Sequence, residues 1–506
     1  METTVIENPT DYVFKTPPYQ HQLAAFARSR DETFFALLME MGTGKSKVAV
    51  DTAGWQFTQG NIDGLLVVAP RSVCGSWVEQ QIPSHLPDYV QRKVVQWRGQ
   101  SKSFERELAG LLKPQPLTLH VLVINPEALI TVRGKSFVEK FVNGHNVMMV
   151  VDEATMIKNH SAARTKYITR LGKKCKYRRT LTGTPVTNSP LDVWSQFNFL
   201  EDGLLGTSSF YAFRNQYAVT RKRVVNGRTF EEVVGFQRLE ELMRYVSRYS
   251  FRALKKECLD LPEKVYTKRY VELSPTQKKF YETLRDDMVV QLSNGSLVTT
   301  QLAITLLLRL QQALCNITTI DGEGEGRTVE IDKDSDPRAD AVLDILKEAG
   351  NQKVIIWCNF VHTIEKLKSL IADEFGKDSV GAFYGATSDT DRQSLINSFQ
   401  DPASSLRYLV MQTRTGGFGI TLTAATLMIY HDHNWSLEVR QQSEDRAHRI
   451  GQKNTVTYVD LVAVDTVDED IVSALLRKEG LAHQVTGDNL RLMLLAEKEK
   501  TKSGEN

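Results

Sequence analysis

Apolar positions in the first 200 residues fall in short unbroken runs: "FFALLME" (34–40), "LLVVAP" (65–70), "LHVLVINP" (119–126), "VMMVVDEA" (147–154) and "RRTLTGTP" (178–185). Runs of strand length that are apolar throughout predict strands buried on both faces. The longer amphipathic stretches between them predict crossover helices, hence a parallel α/β sheet. After residue 200 the pattern changes. "RVVNGRTF" predicts a hairpin turning at Asn226-Gly227. "LEELMRYVSRYSFRALKKE" (239–257) reads as helical, and "LDLPEK" (259–264) reads as a linker because proline breaks helices. Residues 270–316 read as helical again, and "DGEGEGRTVEIDKDSDP" (321–337) as a loop or hairpin at a boundary. The α/β pattern then returns in "KVIIWCNF" (353–360), "VGAFYGAT" (380–387), "RYLVMQT" (407–413), "TLMIYHD" (426–432) and a closing "TVTYVDLVAV" (455–464).

These patterns predict a first α/β lobe over 1–200 and a helical and hairpin insertion over 201–262. A linker with a further helical insertion follows over 263–335, then a second α/β lobe over 336–480, and a C-terminal helix with a frayed tail over 481–506. No repeat of solenoid period is visible.

Composition changes this picture little. The 506 residues are 25% charged and 41% hydrophobic, an ordinary globular mix. A net charge of +2 neither argues for nucleic-acid binding nor excludes it, because local patches outweigh the total. Cys74, Cys175, Cys258, Cys315 and Cys358 are scattered, with no CxxC pair. That excludes a disulfide framework and a cysteine zinc site, and fits a reducing compartment. "METTVIENPT" has no basic, apolar leader pattern, and no apolar run is long enough to span a bilayer. The expectation is a cytoplasmic protein with no membrane partner.

The chemistry starts at "MEMGTGKSK" (39–47), which follows one strand and opens a helix. Backbone N–H groups of Gly42, Thr43 and Gly44 could cradle phosphates, Lys45 could reach the β and γ phosphates, and Ser46 could ligate magnesium. The strict GxxxxGK[ST] pattern is not met, because position 39 is Met. "VVDEAT" (150–155) ends another strand with an acidic pair. Asp152 could hold the magnesium shell and Glu153 could orient an attacking water; alone, the pair would read more readily as a helix cap. "SAARTKYITRLGKKCKYRR" (161–179) has eight basic residues and no acid. A solvated face and a nucleic-acid surface both fit it. "HDH" (431–433) reads as a turn after a buried strand rather than a metal site, since no third ligand cluster is evident. In "QSEDRAHR" (442–449), Arg446 and Arg449 are spaced for one face of a helix, one turn after Gln442, and two guanidinium groups aimed together suit a phosphate chain.

In order, "GTGKS", "DEAT", "LTGTP" and "QSEDRAHR" resemble the motifs of superfamily-two helicase-type motors. "DEATMIKN" (152–159), "LTGTPVTNSPLDVWSQFNFL" (181–200), "TRTGGFGITLTAA" (413–425) and "DRAHRIGQ" (445–452) resemble the Swi/Snf-type branch. So does "LPEK" after a basic segment holding Arg252, Lys255 and Lys256, and "GFQRLEELMRYV" (235–246) is similar to its small annealing-helicase-like group. The resemblance covers about residues 17–480. It implies two RecA-like lobes with ATP and magnesium in the cleft between them, Gln22 reading the adenine edge, and Gly417 and Gly419 allowing close backbone approach. It further implies that Gln442, Arg446 and Arg449 act on ATP from the second lobe, and that Ser72, Thr413 and Arg414 contact nucleic acid. Two departures stand out: Thr155 replaces the usual His, and "WSL" (435–437) replaces "WNP".

The implied activity is that of a monomeric, ATP-hydrolysing motor that translocates on double-stranded DNA by backbone contacts. The alternatives are a strand-separating DNA or RNA helicase, for which the sequence shows no wedge, and a slow ATP-gated DNA clamp.

Overall fold

The computed structural model describes residues 12–98, 102–225, 228–293, 300–320, 327–416 and 420–486. The expected frayed tail lies outside them. The chain divides into two compact units, one of 1–221, 232–260 and 478–506 and one of 222–231 and 261–477.

The first unit is built on β1 (Phe34–Met39), β2 (Gly64–Val68), β3 (Gln91–Gln96), β4 (Thr118–Ile124), β5 (Val147–Asp152), β6 (Tyr177–Leu181) and β9 (Ser250–Ala253), all paired parallel. They form one seven-stranded sheet of order β3-β4-β2-β5-β6-β1-β9. Alternate residues of one strand go to opposite cores. Ala36 and Leu38 enter one cluster, with Phe141, Ile168 and Phe197. Leu37 and Met39 enter the other, with Val48, Ala53 and Trp77. This two-faced burial is why the runs are unbroken.

Two strands of this sheet differ from the sequence-based expectation. β3, "QRKVVQ", is a polar edge strand with no apolar run to announce it. β9 lies inside the stretch expected to be one helix, which instead stops at Arg248 and resumes only as the short turn Lys255–Cys258. Pairing of Ala36 with Ser250 through Met39 with Ala253 places part of the expected 201–262 insertion in the first sheet. β7 (Ala218–Val225) and β8 (Arg228–Phe236) form a separate two-stranded sheet, and the expected turn at Asn226-Gly227 lies outside the described residues.

In the second unit, β13 (Lys353–Cys358), β14 (Val380–Phe383), β15 (Tyr408–Gln412), β16 (Ala425–Tyr430) and β17 (Val456–Ala463) coincide with the expected runs. β10 (Lys264–Val271) begins in the expected linker, yet all eight of its residues pair parallel with β17. It is an edge strand with Val265, Tyr266 and Tyr270 exposed, so it lacks the continuous apolar signature. The six strands form a sheet of order β10-β17-β16-β13-β15-β14. Helices Pro275–Ser293 and Thr300–Leu314 and the antiparallel pair β11 (Ile317–Ile320) and β12 (Arg327–Glu330) fill the expected helical stretch and boundary hairpin. Among the described residues no helix is long and apolar enough to cross a membrane.

Candidate active site

The phosphate loop joins β1 to the helix Lys45–Thr58. Gly42 and Gly44 have φ of 79° and 91°, the left-handed region that glycine enters without cost. A Cβ on Gly44 would stand 2.2 Å from Gln22 Nε2. Gln22 is buried beside the loop: its Nε2 donates to the Thr43 carbonyl at 3.1 Å and its Oε1 accepts from Tyr19 N at 3.1 Å. His21 Nε2 also lies 2.7 Å from the Thr43 carbonyl, and Thr43 Oγ1 donates to the Glu40 carbonyl at 2.7 Å. The loop is thus tied at its crest by one helix and at its base by its own hydroxyl.

β9 braces that base. The Lys255 amide donates to Glu40 Oε2 at 2.6 Å, and Glu40 N donates to the Ala253 carbonyl at 3.0 Å. Arg252 Nη1 reaches the carbonyls of Leu38 and Gly183 at 3.0 and 2.9 Å, joining the phosphate-loop strand to the "LTGTP" segment. Beyond that segment, Lys158 Nζ donates to Thr187 Oγ1 at 2.7 Å, which connects "DEATMIKN" to "TPVTN".

Asp152 ends β5 and is buried. Its carboxylate accepts from Trp77 Nε1 at 2.7 Å and from Glu153 N at 3.0 Å. Burial raises its pKa, against the pull of Lys45, Trp77 and the Glu153 amide. Glu153 has φ 47°, a left-handed conformation costing a non-glycine residue about 1–3 kcal/mol and common at functional sites. There its carboxylate lies 3.7 Å from the buried Lys45 Nζ. Thr155 is buried in the 3-10 turn Ala154–Ile157 that follows.

Trp77 carries no functional signal in the sequence, although it sits in "APRSVCGSW" (69–77). It opens a wide π-helical turn, Trp77–Gln81, after the helix Arg71–Ser76 that holds Ser72. Such turns cluster at functional sites. A buried carboxylate raised in pKa and facing Lys45 fits a divalent cation, and Ser46 lies in the first turn of the adjoining helix.

In the second unit the helix Leu437–Glu444 carries Gln442, whose Nε2 donates to Glu438 Oε1 at 3.3 Å. Arg446 and Arg449 are not on this helix, contrary to the spacing argument. The helix ends at Glu444, and the chain tightens through Arg446 N→Ser443 O and Ala447 N→Glu444 O. Arg446 Nε then satisfies the Gln442 carbonyl at 2.8 Å, one that the helix end leaves open. The two arginines still converge, on the Ile420 carbonyl at 3.1 and 3.2 Å. Gly417 and Gly419, just before Ile420, lie outside the described residues. Thr413 is buried, its hydroxyl donating to the Cys358 carbonyl at 3.1 Å, while Arg414 is exposed.

A partly buried ionic network holds this segment. Glu444 receives Lys264 Nζ at 2.9 Å, Tyr266 OH at 2.7 Å and Arg440 Nε at 2.7 Å. Arg440 also meets Asp460 at 2.5 Å and lies 3.5 Å over the Tyr430 ring. Lys264 belongs to "LPEK", so that motif supports "QSEDRAHR" from β10. Where "WNP" would stand, Ser436 accepts from Val439 N at 3.3 Å and caps the helix.

The structure brings Cys315 to His431 and Asp432, with ligand atoms within 4.8 Å, a third candidate ligand that chain distance conceals. Arg338, fully buried, interacts with Cys315 and Asp432, hydrogen-bonds the His431 carbonyl and pairs with Asp468. A guanidinium therefore already occupies the electrostatic place of a cation there. In the basic run, Arg179 is buried and donates to the carbonyls of Ser29, Glu32, Thr33 and Arg178, and Arg178 pairs with Glu201 at 2.7 Å. Those two are structural.

The SNF2-related domain model matches residues 19–319, and the helicase conserved C-terminal domain model matches 337–451. The chain belongs to the SNF2-related family. An uncharacterized ATP-dependent helicase of Mycoplasma pneumoniae is 28% identical over 92% of this chain and 41% of its own length. The TATA-binding protein-associated factor MOT1 of Saccharomyces cerevisiae is 26% identical over 83% of this chain and 24% of its own. A solved structure, the Sulfolobus solfataricus SWI2/SNF2 ATPase core in complex with dsDNA, aligns over 94% of this chain and 95% of that one at 24% identity, with a TM-score of 0.41. The chain spans about two-fifths of the length of the first of these relatives.

Proposed function

We propose that this SNF2-related chain is a DNA-dependent ATP hydrolase that translocates on double-stranded DNA. The observation that carries the reading is the convergence, in one unit, of a glycine-turned phosphate loop, Lys45 and the carboxylates Asp152 and Glu153, with Lys45 Nζ 3.7 Å from Glu153. Lys45 and the loop amides bind the β and γ phosphates, and Gln22 turns its amide from Thr43 toward the adenine edge. Ser46 and Asp152 would hold magnesium, which would supply positive charge against the phosphates. Glu153 leaves Lys45 for the attacking water. Arg446 and Arg449, with Gln442, stabilise charge on the transferred phosphoryl group when the two units close on ATP. Ser72 and Arg414, and the Thr413 backbone, follow the DNA backbone without reading its sequence.

The test is the steady-state ATPase rate alone and with duplex DNA, single-stranded DNA or RNA, with Glu153→Gln as the blank. Stimulation mainly by duplex, followed by displacement of a triplex strand, is the expected result. Stimulation mainly by single strands or RNA, with unwinding of a forked duplex, would replace it by the helicase reading. No rate above the blank would leave an ATP-gated clamp.

A further inference from the structure

Once Arg178 and Arg179 are assigned to structure, three other residues of the basic run form a separate feature. Lys166, Arg170 and Lys173 recur at four- and three-residue spacing, which aligns them along one face of the helix Ala163–Gly172 and its cap. That face opens on a cavity of about 350 Å³, whose other wall is Trp194 and Asn198 of the helix Asp192–Leu200. His160 stands at its rim, stacked on Phe210 with centroids 3.6 Å apart and 6.1 Å from the ring of Tyr211, which is 67% exposed. Thr165 and Asn198, which line the cavity, each keep a buried oxygen, Oγ1 and Oδ1, without a hydrogen-bond partner.

The opposing charges are few and solvated. Glu139 lies 3.8 Å from Arg170 and Asp202 lies 2.6 Å from Lys173, both as exposed pairs that exchange readily for another anion. The helix packs Ile168 and Leu171 into the core on the face of the first sheet opposite the phosphate-loop helix. The groove is therefore separated by the sheet from Lys45 and from the core that takes Val73 and Cys74, next to Ser72.

We propose that this groove is a second nucleic-acid site, in which Lys166 and Arg170 neutralise neighbouring phosphates of a phosphodiester backbone and the Thr165 hydroxyl donates to one of them. The inference rests on the reading of the chain as a nucleic-acid motor. Basic side chains beside an exposed aromatic ring are the combination that tracks a backbone without sequence preference. The face is remote from the ATP loop, so it would hold a segment of nucleic acid other than the one in the motor's track, as a protein handling a branched or looped substrate requires.

The experiment uses the full chain, Lys166→Ala, the double variant Lys166→Ala/Arg170→Ala, and Lys166→Arg. Affinity for a labelled duplex and a labelled single strand is measured by anisotropy across a potassium chloride series. Removing one phosphate-neutralising side chain should flatten the plot of log K against log salt by about 0.9 for duplex or about 0.7 for a single strand. The expected result is a slope lower by about one such step in Lys166→Ala and about two in the double variant, in at least one arm, at unchanged melting temperature. Lys166→Arg should keep the wild-type slope. The arm that flattens identifies the strand state. An unchanged slope in both arms, on a wild type that binds, would overturn this proposal alone. A wild type that binds neither probe would overturn the motor reading with it. A flattened slope that Lys166→Arg fails to restore would assign Lys166 to structure and also overturn the proposal.

Discussion

Arg446 and Arg449 share one acceptor: each donates through Nη1 to the carbonyl oxygen of Ile420, at 3.1 and 3.2 Å. Two like charges are held together on one dipole, and burial lowers the pKa of Arg449. An arriving phosphate would relieve that arrangement. Arg446→Ala and Arg449→Ala are each expected to lower DNA-stimulated kcat by about 10²–10³-fold, the usual effect of removing one donor to developing charge. ATP affinity of the first unit should change far less. Fluorescent-nucleotide titration beside steady-state rates separates the two, and a normal kcat in either variant would remove that arginine from the mechanism.

Trp77 holds Asp152 by a 2.7 Å hydrogen bond in a buried site. A donor to a carboxylate favours its charged form, so removing the donor raises a pKa that burial already raises. Trp77→Phe is expected to move the acidic limb of the kcat profile to higher pH and to raise the magnesium concentration needed for half the maximal rate. An acidic limb at its wild-type position would show that Asp152 is not the group titrating there.

Gly44 leaves no room for a side chain, with a Cβ position 2.2 Å from Gln22 Nε2 and φ of 91°. In Gly44→Ala the left-handed backbone costs about 1–2 kcal/mol and Gln22 must leave Thr43. Nucleotide affinity is expected to fall at least tenfold, with a modest loss of melting temperature. Gln22→Ala, which leaves the backbone alone, should raise KM for ATP with little change in kcat and reduce the preference for ATP over GTP. Equal preference for the two nucleotides in wild type and Gln22→Ala would end the adenine-reading role.

Glu444 gives a pH signature. Burial raises its pKa, but Lys264 and Arg440 outweigh burial and hold it at about 2. A carboxylate depressed in the folded state stabilises it fully above its unfolded value of about 4.3, and that stability is lost as pH falls toward about 2. Glu444→Gln should therefore be destabilised at neutral pH, and its deficit against wild type should shrink between about pH 5 and pH 2. Urea midpoints at both ends of that window measure it. A deficit independent of pH would mean that the network is held by shape rather than charge.

The reach of the sequence differs from element to element. β1, β5, β13 and β16 were legible because strands buried on both faces must be apolar at every position. β3 and β10 were not, because edge strands keep a wet face and so carry a mixed pattern. β9 was hidden differently. "SFRA" has no strand signature of its own, and its state is set by the backbone of β1, which it needs as a partner.

The candidate site divides along the same line. Gly42, Gly44, Lys45, Ser46, Asp152 and Glu153 could be named from the sequence because the role proposed for each lies within a short local motif whose spacing is its geometry. Gln442, Arg446 and Arg449 could be named too, but the helix meant to align them ends at Glu444, and a shared carbonyl gathers the two arginines instead. Trp77 beneath Asp152, Arg252 bridging Leu38 and Gly183, and Lys264 on Glu444 were invisible, being pairs 75, 214, 69 and 180 residues apart. Local chemistry is written in local spacing. The groups that hold a catalytic side chain at its angle and potential come from wherever the sheet brings them, and only the folded chain decides that.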